Sequence, residues 1–150
     1  MKRLLSVLLL ALMFLGLMPF STNAKSDDVE ITYFQDGSYL VTEIVRNTAR
    51  ASGTVSGSKP STYYNNSGVA QWKAVLNGTF SISSSGATCT SASMNVTIYD
   101  SSWHTVSKSA TKSGNMANGS ATIGRKVGGV TVASIPVNLT LSCDKNGNLS

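Results

Sequence analysis

Turn-forming residues recur about every ten positions along most of this 150-residue chain, and the segments between them alternate apolar and polar side chains. Successive side chains of an extended segment point to opposite faces, so such a segment has one apolar face to bury. The clearest case spans residues 69–82. Its even positions read Ala70, Trp72, Ala74, Leu76, Gly78, Phe80 and Ile82, and its odd positions are mostly polar. Asn77-Gly78 offers a turn or a bulge that would divide it into two strands. Asp36-Gly37 marks a hairpin between 29–34 and 38–45. Residues 47–60, rich in Gly and Ser and closed by Pro60, read as weaker, before Tyr63, Tyr64 and a turn at Asn65-Asn66-Ser67-Gly68. Further strands are expected over 87–99, 103–110, 116–127 and from Val130 to Cys143, with turns at Asp100-Ser101-Ser102, Ser113-Gly114-Asn115 and Gly128-Gly129. No helix-period segment occurs beyond residue 24.

One-faced strands must be layered or closed on themselves. The expectation is an all-β fold: an antiparallel β-sandwich of seven to nine short strands, immunoglobulin-like in architecture, with a flattened β-barrel as the alternative. In the last strand the apolar phase changes from Val130 and Val132 to Ile135, Val137, Leu139 and Leu141. Pro136 sits near the change, and because proline cannot donate a ladder hydrogen bond it predicts an edge or a bulge. The tail, 144–150, reads as a polar cap or frayed end.

The chain begins Met1-Lys2-Arg3, continues apolar from Leu4 to Met18, and reaches small residues at Ser21, Thr22 and Ala24. That order predicts a cleaved secretion signal over 1–24, with a cut after Ala24 or, alternatively, after Ser26. The apolar run is shorter than the roughly 20 residues a membrane span needs, so no stable membrane anchor is expected after cleavage. The remainder, 25–150, has the size of one secreted domain. Export also favours pairing of the two cysteines, Cys89 and Cys143. Such a disulfide would contribute roughly 4 kcal/mol by restricting the unfolded chain. Cys143 is in phase with its strand's apolar face, whereas Cys89 is out of phase with Met94, Val96 and Ile98. Both point inward only if a bulge near 91–93 flips the register.

Five of the seven acids precede Ile44, and from there on nine Lys and Arg face only Asp100 and Asp144. The basic residues are scattered singly apart from Arg125-Lys126, which argues against a nucleic-acid surface. Catalytic chemistry is thinly represented. His104, the only histidine, lies four residues after Asp100 on a polar strand just after a turn. A triad needs a buried carboxylate and an activated serine, and serines are too abundant here for one nearby to be informative. The acids cluster in a terminal hairpin instead of pairing across a cleft. No metal-ligand spacing, phosphate loop or cofactor motif occurs, so the expectation is no cofactor, no metal and no enzyme. Aromatic side chains are the credible binding handle. Trp72 reads as core, whereas Trp103, Tyr63, Tyr64 and Tyr99 lie near turns, where exposed rings stack on sugars or anchor a protein. The expected function is a secreted, non-catalytic binding or adhesion module for a glycan, a cell-wall polymer or an extracellular protein. The alternatives are an assembly subunit pairing through sheet edges, and a secreted enzyme or enzyme inhibitor.

The run Asp28-Val-Glu-Ile-Thr-Tyr-Phe-Gln-Asp-Gly-Ser-Tyr-Leu-Val-Thr, with Tyr64-Asn-Asn-Ser-Gly, Ala87-Thr-Cys-Thr-Ser-Ala-Ser, Tyr99-Asp-Ser-Ser-Trp and the closing Leu141-Ser-Cys-Asp-Lys-Asn-Gly-Asn-Leu-Ser, resembles a family of small uncharacterised secreted proteins from Gram-positive anaerobes. The resemblance covers essentially the whole exported part. It implies an exported single domain and transfers no activity or site residue.

Overall fold

The computed structural model describes residues 24–26, 29–47 and 53–150. The leader expected over 1–24 therefore falls, except for Ala24, outside the described residues. Ten strands follow in order: β1 (Ala24–Ser26), β2 (Val29–Tyr33), β3 (Tyr39–Glu43), β4 (Val45–Asn47), β5 (Thr54–Tyr64), β6 (Ala70–Ser83), β7 (Gly86–Ile98), β8 (Trp103–Ser113), β9 (Met116–Val127) and β10 (Val130–Ser142). There are more strands than expected, and β5 to β10 are long, at 11 to 14 residues each.

They form two antiparallel sheets. The larger has the order β1-β2-β3-β5-β6-β7 with β4 also on β5, and the smaller has the order β10-β9-β8. No ladder joins the two sheets among the described strands, so this is a sandwich and not a closed barrel. Neighbours in each sheet are neighbours in sequence, apart from the β3-to-β5 step around β4. The connectivity is thus a meander that changes sheet once, between β7 and β8. β3 and β4 are one interrupted strand: Thr42 pairs with Ser61 and Val45 with Ser58, in the same register. The ladder breaks opposite Pro60, which has no N–H to donate. Continuous pairing of β6 with both neighbours through Asn77 and Gly78 shows that this dipeptide is not a turn.

Four one-residue bulges set which side chains face inward. They fall at Gln71 in β6, Thr90 in β7, Val106 in β8 and Val132 in β10. The Thr90 bulge turns both Cys89 and Met94 into the core, close to where the phase conflict placed it. The phase change in β10 comes from Val132, upstream of Pro136, and Pro136 itself lies on an edge strand.

Trp72, Leu76 and Phe80 of β6 pack against Ala117, Ala121 and Ile123 of β9 and the odd-numbered residues of β10. Small residues on β9 let the sheets approach. A Cβ at Gly119 would lie 2.9 Å from Leu76 Cδ1 and from Met94 Sδ. The tail is not frayed. Its Leu149 is 3 % exposed and belongs to the core, and a Cβ at Gly57 would collide with it.

The expected Cys89–Cys143 disulfide is absent; both residues are buried free thiols. Each thiol is engaged on its own strand. Cys89 Sγ donates to Ser91 O at 3.3 Å and Cys143 Sγ to Asp144 O at 3.5 Å. The β8–β9 turn is gripped by both backbones: Cys89 N–H donates to Gly114 O and Cys143 N–H to Asn115 O. Burial pushes both thiols up from their ordinary pKa.

Candidate functional site

In a meander every second turn lies at the same end of the sheet. The turns 34–38, 65–69, 99–102 and 128–129 thus share one end, and 84–85, 114–115 and the tail share the other. At the first end a polar cleft of about 390 Å³ opens between the sheets. Its lining combines Asp36, Asp100, Asn65, Asn66, Gln71 and Arg125 with Tyr63 and Trp103.

Three of its walls are turns locked by their own side chains. Asp36 Oδ1 accepts from the N–H and hydroxyl of Ser38. Asp100 Oδ1 accepts from Ser102 N–H at 2.8 Å and from the Ser102 hydroxyl at 2.6 Å. Asn65 Oδ1 accepts from the N–H groups of Ser67 and Val69. A short Asp or Asn side chain that mimics a backbone turn fixes both the loop and itself. Among the described residues, neither Asp36 Oδ2 nor Asp100 Oδ2 has a hydrogen-bond partner. The bonds from Ser102, with a smaller contribution from Arg125, hold the Asp100 carboxyl below its ordinary pKa.

The Gln71 carbonyl accepts the N–H groups of Tyr99 and Asp100 at 2.9 and 3.1 Å, which continues the β6–β7 pairing into the turn that crosses to the other sheet. The floor is aromatic. Tyr63 stacks on Trp72 at 5.2 Å, and Trp103 meets Tyr63 edge-on at 5.2 Å. Phe34 adds an edge contact to Tyr63 at 5.7 Å. The Tyr63 hydroxyl donates to Ser38 Oγ at 2.9 Å, tying the floor to the Asp36 turn. Burial raises the Tyr63 pKa, so the phenol stays a neutral donor.

Two of the four aromatic candidates are therefore not surface residues: Trp103 is 7 % and Tyr63 6 % exposed. The structure brings these two together under the cleft. Tyr64 lies half-buried on the opposite face of the larger sheet, stacked on Tyr39 at 5.0 Å. Tyr99 is exposed on the β7–β8 turn. Trp72 is fully buried, as its strand phase predicts. His104 faces away from the core over Gly124, with Thr131 Oγ1 at 3.4 Å from its Nε2. Its Nδ1 is buried without a partner, so no carboxylate orients the ring. Among the described residues no group of three His, Cys, Asp or Glu comes together to hold a metal. No helix of the described residues is long and apolar enough to cross a membrane.

Comparison with family models, curated proteins and solved structures finds no match. The cleft must be read from its own chemistry. Asp36, Asn65 and Asp100 were visible in the sequence as turn formers. Their convergence was available only from the parity of the turns that carry them.

Proposed function

We propose that this protein is an exported, non-catalytic binding module that takes a polyhydroxylated ligand, a glycan or a glycan-bearing wall polymer, in the loop-end cleft. The observation that carries the reading is the set of Asp36 and Asp100 carboxylates and Asn65 and Asn66 amides on rigid turns, with the Arg125 guanidinium of β9 beside them, over an aromatic floor. Sugar hydroxyls both donate and accept, so a sugar site needs both kinds of partner at fixed positions, together with an apolar surface for ring C–H groups. Self-locked turns lower the ordering cost of binding. Export is supported by the charge, apolar run and small-residue order of the first 24 residues.

The geometry of β10 favours this reading over assembly through sheet edges. Its even-numbered residues turn their backbone groups away from β9, because the N–H and C=O of Ser142 pair with Ser150 and the carbonyl of Thr140 accepts Lys59 Nζ. The next such position but one is Pro136, which has no N–H. The tail, Lys59 and Pro136 together blunt the edge against an added strand.

The test is retention on a panel of purified glycans and wall fragments, followed by titration of whatever is retained. Asp100→Asn keeps the turn-forming Oδ1 and replaces the free oxygen with a donor, and Arg125→Gln removes the guanidinium. Each is expected to weaken binding at least about tenfold, as loss of a charge-assisted hydrogen bond does. Retention of no panel member, or binding indifferent to both substitutions, overturns the reading.

A further inference from the structure

The β9–β10 hairpin carries a feature that the cleft does not use. Its tip reads Val127-Gly128-Gly129-Val130, with φ of 59° and 83° at the two glycines, the left-handed pair that a two-residue hairpin turn requires. A Cβ on either glycine would meet nothing within 4 Å. The last pairing of β8 with β9 is Trp103 with Arg125, and Lys126 N–H still donates to Ser102 O at 2.7 Å, so beyond Lys126 β9 and β10 continue as a two-stranded tip. Val127 and Val130 are directly paired and hence on one face, and they are 59 % and 66 % exposed. Val132, in the bulge just behind, is 58 % exposed. At the base stand Lys126 and Arg125, both exposed and the only adjacent basic pair after Arg3, of which Arg125 also lines the cleft.

A folded domain has little reason to hold three aliphatic side chains in water at a projecting point unless something else covers them. The tip is convex and its glycines touch nothing. It therefore suits a soft surface that yields around it better than a preformed pocket. An apolar point backed by cations has the charge pattern of a segment that rests in an anionic headgroup layer, with the valines at the acyl boundary and the basic groups level with phosphate. We infer that the Val127–Val130 finger docks the protein reversibly on an anionic lipid surface. The docking shares Arg125 with the cleft, but Val127, Val130 and Lys126 do not line it.

The experiment is co-sedimentation of the chain from Lys25 onward, which keeps β2 to β10 intact and omits the apolar leader. Vesicles are phosphatidylcholine alone, or phosphatidylcholine and phosphatidylglycerol in equal parts. The protein is expected to pellet with the mixed vesicles and much less with phosphatidylcholine alone. The double variant Val127→Ser, Val130→Ser is expected to pellet at least about tenfold less, with an unchanged circular dichroism spectrum. Lys126→Gln gives a smaller loss that added salt reproduces. Folded protein that stays in the supernatant, binding that survives the double substitution, or pelleting without vesicles through self-association would each overturn the proposal. Glycan retention is expected to be the same in the double variant, so failure here is distinguishable from failure of the cleft reading.

Discussion

The two ends of the sandwich use the same local chemistry to opposite effect. At the far end, Asp144 forms a turn in which both carboxylate oxygens are engaged: Oδ1 accepts the N–H groups of Asn146 and Asn148, and Oδ2 accepts the Asn148 side-chain amide, all at 2.8 Å. The tail then lays Leu149 into the core, Arg46 binds the Leu149 carbonyl, and Asn115 binds the Cys143 carbonyl. At the cleft end, Asp36 and Asp100 form equivalent turns through one oxygen each, and both residues line the cleft. One end is closed by its own tail and the other is left polar and open, and the proposed binding site is at the open end. Of the exposed apolar residues, Val69, Tyr99, Val127 and Val130 lie on turns or tips at the cleft end, whereas Met116 lies beside the turn at the closed end.

The sharpest way to break this contrast is to unseat the plug. Leu149→Ala should lower unfolding stability by about 3 kcal/mol, since it empties a nearly fully buried site. Urea unfolding followed by tryptophan fluorescence checks this, and a change near zero would mean that the tail is only a surface strap. Asp100→Asn at the other end should move the urea midpoint far less than Leu149→Ala does, while weakening the ligand at least about tenfold. A second contrast concerns the thiols of the closed end. Because burial raises the pKa of both, Cys89 and Cys143 should resist a thiol reagent at pH 8 in the folded protein and both react after unfolding. Reaction of either in the native state would show that this end opens. The smallest effect is in pH. The folded pKa of Asp100 lies below its unfolded value, so the stabilising contribution of its turn is complete above the ordinary aspartate range and is lost as pH falls through the lowered value. Ligand retention should therefore persist at pH 5 and fall only in stronger acid, whereas loss between pH 7 and 5 would point to a different group.

Much of this architecture is legible in alternation alone. The bounds of β9, the buried face of β6 and the flip between Cys89 and Met94 all follow from side chains having to face one side or the other. What was hidden depends on single residues that interrupt the period. Trp103 shares odd numbering with Ser107 and Ser109, which makes it look exposed. The bulge at Val106 separates their phases, so Trp103 faces the core together with Ala110. β5 looks like a loop because Gly57 and Pro60 disfavour strands by composition. Here Gly57 makes room for Leu149, and Pro60 sits where its partner strand is broken. Leu149 itself stands alone among polar residues and has no period to reveal it. The cysteines were expected to be bonded from compartment and count, which carry no information on how each thiol is oriented. The cleft is a property of the meander as a whole, since Asp36, Asn65 and Asp100 are far apart in sequence and meet only because alternate turns share an end.

The most direct test is amide chemical-shift mapping during titration with a glycan or wall fragment retained by the protein. Perturbations should concentrate at 34–38, 65–71, 99–103 and Arg125, with the 84–86, 113–116 and 143–150 segments silent. Perturbations centred on the tail and the β8–β9 turn, or spread along an outer sheet face, would contradict the assignment of the open end as the binding site.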